Sequence, residues 1–139
     1  MELRKSKNRR RSGVILTYLF LAGLVLIFEY CQNSLWTSLS ITVEIVLFLG
    51  WIASFIFFYV RTELWSFIHR PMEKLDEREI ALTGKSLRYA YGIFTVVILS
   101  LLLSLALLDA TIDVVMVAAL ILFAHLLPAS VIAWTEKEV

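Results

Sequence analysis

Apolar and polar positions alternate along this chain in long blocks. Four apolar runs cover residues 14–31, 39–60, 89–108 and 112–134. Between them lie two short polar breaks and one long one, residues 61–88. At 1.5 Å rise per residue even the 18-residue first run crosses a hydrocarbon core of about 30 Å, so each run predicts a transmembrane helix. The expected fold is therefore all-α: an integral membrane bundle of four antiparallel transmembrane helices in one domain. Residues 1–13 form a basic segment before the first helix, and residues 61–88 connect two hairpins.

Composition supports this reading. Of the 139 residues 60% are hydrophobic and 18% charged, with a mean hydropathy of +0.81. A soluble domain averages roughly 45–50% apolar and about 25% charged. The single cysteine, Cys31, excludes an intrachain disulfide and a multi-cysteine metal site within one chain. A basic start before an apolar run also describes a signal peptide, but Glu29-Tyr30-Cys31 is not a small-residue cleavage pattern. An uncleaved anchor is expected.

The net charge of +1 hides a strong asymmetry. All 13 Lys and Arg fall in residues 1–13, in residues 61–88 or at Lys137, and none falls in the short breaks at 32–38 and 109–111. Four spans place those three basic segments on one side. By the positive-inside rule that side is the cytoplasm, with both termini there. Arg4, Lys5, Lys7, Arg9, Arg10 and Arg11, directly before a span, read as a topology signal and headgroup anchor rather than a nucleic-acid site. The lipid bilayer is the first expected partner.

The connector carries the densest charge. Pro71 suits the first position of a helix, Glu73 its first turn and Gly84 its end, which predicts a short helix over residues 71–83. Met72, Leu75 and Leu82 share one arc of it, Glu73, Asp76 and Glu77 a second, Lys74 and Arg78 a third. The plain reading is an amphipathic helix lying on the membrane surface. The i,i+4 like-charge pairs Glu73/Glu77 and Lys74/Arg78 favour a second reading, docking of a protein partner through Glu73, Asp76, Glu77 and Arg78. A metal site on the three acids lacks a His or Cys at ligand spacing.

Residues 75–92, LDEREIALTGKSLRYAYG, resemble the D-E-R-E stretch that precedes a span in some small uncharacterised bacterial four-helix membrane proteins. The resemblance covers 18 residues, implies a bacterial inner (plasma) membrane protein, and carries no activity and no residue roles with it.

Ionisable residues in a span are functional candidates by default. Glu29, Glu44, Asp109 and Asp113 all fall toward the outer face with no Lys or Arg beside them, so together they could collect cations or protons. Asp109 and Asp113 are also simple turn and N-cap residues, and Glu29 can snorkel. Glu44 lies deeper and needs a proton or a partner, for which Thr42, Ser38 or a neighbouring helix would suffice. His125, in the fourth run, could hold haem or a chlorophyll-type pigment or relay protons; an interhelical hydrogen bond would equally explain it. Pro128 is expected to kink that helix near Ala124. Ser100/Ser104 and Gly50/Ser54 are small-xxx-small pairs that permit close helix contact.

No nucleophile elbow, phosphate-binding loop or metalloprotease motif occurs. The expectation is a non-enzyme, with no cofactor required: an accessory or interaction subunit that packs through its third and fourth spans and docks a membrane-complex partner through the connector. A small homo-oligomeric cation or proton transporter or channel using Glu44 is the alternative, and pigment binding through His125 a third.

Overall fold

The computed structural model describes the backbone of residues 2–32 and 36–135, and the side chains of all of these except residues 2–7 and 72. The fold is an all-α four-helix bundle with four helices long and apolar enough to cross a membrane. Helix α1 spans Glu2–Gln32, and α2 spans Ser38–Phe55 and runs on through a π-helical turn, Ile56–Val60. A short α3, Leu64–Ile68, precedes α4, Glu77–Leu107, and α5, Val114–Thr135. The protein is a multi-pass membrane protein. The expectations for Arg4, Lys5 and Lys7 as side chains, and for Lys137, lie outside the described residues.

The expected helix over residues 71–83 does not form. Met72–Lys74 is a single 3-10 turn, and the next helix starts at Glu77 and runs unbroken through Gly84 into the third span. Asp76 starts it. Its carboxylate accepts from the Glu79 backbone N–H at 2.7 Å, while the Asp76 N–H donates to Glu79 Oε2 at 3.1 Å, a reciprocal capping box. No glycine among the described residues has positive φ, so Gly84 costs the helix some propensity without ending it. At 31 residues α4 is about 46 Å long and outreaches the hydrocarbon core by roughly three turns.

Helices α1 and α2 pack as a tight antiparallel hairpin, because small residues on each face large ones on the other. A Cβ placed on Gly50 would lie 2.7 Å from the Phe20 ring, and one on Gly13 would run into the Phe58 side chain. Thr17 and Ser54 share a buried hydrogen bond of 2.6 Å at the same seam. The Gly50/Ser54 pair thus makes the close contact its spacing predicts. Ser100 and Ser104 make no such contact among the described residues of the chain: both are exposed, and the Ser104 hydroxyl donates to the Ser100 carbonyl of its own helix.

Helix α5 is the centre of the bundle, packing on α1, α3 and α4. Its buried residues all lie between Leu126 and Ala133. Together with Val14, Tyr59, Leu64 and Phe67 they form the core, at the end of the bundle where the basic residues gather. Pro128 lies inside this stretch, and the helix continues through it.

Candidate functional site

The most constructed part of the molecule is this basic end. The π turn carries Tyr59 inward in register with Phe55, and Tyr59 becomes fully buried. Its hydroxyl meets Ser130 Oγ at 2.8 Å, and the Tyr18 hydroxyl meets the same atom at 2.8 Å. Ser130 spends its one proton on the Leu126 carbonyl, so both tyrosines donate to it. One serine oxygen thereby links α1, α2 and α5. Residue types in a single sequence do not reveal this hub, since its members lie 112 and 71 positions apart. The available signal was polar-tipped tyrosines within otherwise apolar runs, which need a partner when buried.

Around the hub, Phe48, Trp51, Phe55 and Tyr59 stack along α2, and Trp65 meets Phe55 edge-on. Arg9 and Arg61 both lie over the Phe57 ring, at 4.9 and 5.3 Å from its centroid. Arg11 lies 4.6 Å over Trp134 and donates to its carbonyl at 3.0 Å. The basic residues next to the spans are thus held against aromatic rings, an attraction of about 0.5–1 kcal/mol each at exposed sites.

The connector candidates separate into two kinds. Asp76 is occupied as the N-cap, and its partner Glu79 also pairs with Arg70 at 3.7 Å. Glu73, Glu77 and Arg78 are exposed and make no internal hydrogen bond or ion pair among the described residues. Glu77 and Arg78 sit on the first turn of α4, at its protruding end.

Glu29, Glu44, Asp109 and Asp113 do not form a ligand group. Among the described residues no three His, Cys, Asp or Glu side chains converge as a metal site would need. Asp113 caps α5, accepting from the Met116 N–H at 2.7 Å, and Asp109 holds a left-handed turn with φ 51°. Glu29 is half-buried near the end of α1. Glu44 is half-buried on α2, with Oε2 enclosed and no hydrogen-bond partner among the described residues.

His125 makes no interhelical hydrogen bond among the described residues. Its Nδ1 lies 2.9 Å from the Ile121 carbonyl one turn back in α5, and the ring is exposed on the outer surface of the bundle. Pro128 faces the core, so it does not bring that ring inward.

A cleft of about 490 Å³ opens between α1 and α4, floored by α5. It exists because α4 packs on α5 and stands away from α1. Comparison with protein-family models, with characterised proteins and with solved structures finds no match.

Proposed function

We propose that this protein is a non-catalytic accessory subunit of a membrane complex in a bacterial plasma membrane. Its basic end lies in the cytoplasm, and it presents the protruding start of α4 to a partner with a complementary, basic-rich surface. The observation that carries this reading is the contrast within the connector. Asp76 and Glu79 are used up in building the helix start, whereas Glu73 and Glu77 stand exposed beside it with no ion pair among the described residues. Acidic groups at a helix N-terminus are stabilised by the helix dipole by about 0.3–1 kcal/mol, so their placement alone has a modest structural value. Their remaining value is outward. The positive-inside distribution supports the orientation, and the D-E-R-E resemblance supports the bacterial membrane.

The test keeps the cap intact. Glu73→Lys with Glu77→Lys, leaving Asp76 in place, is expected to abolish co-purification of the partner while the protein still inserts at native levels. Partner retained at full stoichiometry after that reversal would reject docking through this turn.

One observation favours a second reading. The enclosed, unpartnered Oε2 of Glu44 is costly in hydrocarbon and suits a cation or proton exchange site in a small homo-oligomeric transporter. Under that reading Glu44→Gln removes flux in proteoliposomes. Unchanged flux, or none from the native protein, rejects it.

A further inference from the structure

The cleft between α1 and α4 has walls graded in one direction. On α4, Lys85, Tyr89 and Ile93 follow at i, i+4 and i+8, so they line one stripe about 12 Å long, running from charge to hydroxyl to hydrocarbon. On α1, Ile15 and Tyr18 line the opposite wall, and Arg11, one turn before Ile15 and outside the lining itself, sits on Trp134 at the mouth, because both helices begin at the basic end. Helix α5 runs the opposite way and keeps the gradient, with Trp134 at the mouth and Val131 then Leu127 deeper.

The floor has little to offer a polar ligand. The Ser130 hydroxyl at its base already donates to Leu126 and accepts from two tyrosines. At the mouth the reverse holds. Lys85 is exposed there, and Arg11, seated on the ring of Trp134, has an enclosed Nε–H with no acceptor among the described residues. Among the described residues no Asp or Glu lines the cleft. A ligand that fits has a long apolar tail and an anionic head, and it enters sideways from the bilayer, since Ile15, Tyr89 and Ile93 remain partly exposed along the opening.

We propose that this cleft is a binding site for one anionic phospholipid of the leaflet that meets the basic end. Its phosphate sits against Lys85 and Arg11, and an acyl chain lies in the slot between Ile15, Ile93, Leu127 and Val131. The lipid fills the gap where α1 and α4 stand apart, so it joins the two hairpins on that side. Each cation near an anionic headgroup contributes about 1 kcal/mol, which corresponds to about a fivefold change in affinity.

The experiment is native mass spectrometry of the full chain in detergent, titrated with phosphatidylglycerol or with phosphatidylcholine of identical acyl chains. The expected result is one phosphatidylglycerol per chain, held at least tenfold more tightly than phosphatidylcholine. Lys85→Gln lowers that preference about fivefold, and with Arg11→Gln most of it is lost. Ile93→Trp fills the slot and removes the bound lipid although both cations remain. The same enlargement on the lipid-facing surface, Leu103→Trp, leaves binding unchanged and controls for general disturbance of the fold. Equal retention of the two lipids overturns the proposal. So does phosphatidylglycerol binding that survives Ile93→Trp, or that millimolar inorganic phosphate displaces, because either would reduce the site to a surface anion contact.

Discussion

At the basic end α5 turns Ala129, Ser130 and Ala133 toward α1 and the π turn, and all three are buried. At the other end the same helix carries Val114 and Val117, and both are exposed, as are Leu103 and Leu107 on α4. The two regions are equally apolar and packed very differently. In a bilayer, lipid tails solvate leucine as well as another helix does, so apolar surface alone gives helices no reason to associate. Contact forms where small residues let backbones approach and where hydroxyls find one another. Gly13, Thr17, Ser54, Ala129, Ser130 and Ala133 supply both at the basic end. The first half of α5 has small residues in Ala118 and Ala119 but no Ser or Thr for a neighbour to meet, and there Val114 and Val117 stay exposed.

The largest effect should come from closing the gap that the hairpin depends on. Gly13→Leu forces a side chain into Phe58 and is expected to destabilise the fold by about 3 kcal/mol, at the upper end of overpacking costs. Gly84→Ala, where a Cβ meets nothing within 4 Å, should stabilise α4 by roughly 0.5–1 kcal/mol. Equilibrium unfolding in mixed micelles measures both, and like signs for the two would break the comparison.

Next in size is the hub. Ser130→Ala strands two buried tyrosine hydroxyls and should cost about 2 kcal/mol, since each unsatisfied group carries a penalty of about 1–3 kcal/mol that partial relaxation lowers. Ser104→Ala, on the exposed far half of α4, should fall within about 0.5 kcal/mol of the native protein in the same assay. A smaller and more local change follows from Asp76→Ala. Loss of the cap costs about 1 kcal/mol and should appear as faster amide exchange over the first turn of α4, with the rest of the helix unaffected. The smallest effect is expected at His125, whose ring bonds only to its own helix among the described residues. His125→Leu should change stability by less than about 0.5 kcal/mol.

The spans were legible in the sequence because eighteen or more apolar residues in succession have few other readings. The start of α4 was legible too, although Pro71 and Gly84 point instead to a separate helix over residues 71–83. Pro71 and Gly84 are strong punctuation in general, whereas the decisive signal was Asp76 three positions before Glu79, a capping pair hidden inside a run that also looks like a charged face. Asp76 therefore moves from the docking candidates to the scaffold, while Glu73, Glu77 and Arg78 keep their exposed positions. Asp113 as an N-cap was readable for the same local reason. The Tyr18–Ser130–Tyr59 hub and the graded cleft were not, because both depend on which helix lies beside which. Spacing along one chain does not carry that information, and neither did it show that His125 would face out of the bundle.

The most direct measurement is the native mass of the protein after gentle extraction from its source membrane. The account predicts a stoichiometric assembly with a second protein, lost when Glu73 and Glu77 are reversed in charge and retained when His125 is replaced. A free monomer or homodimer from the native membrane would contradict it, and would turn attention to Glu44 and flux.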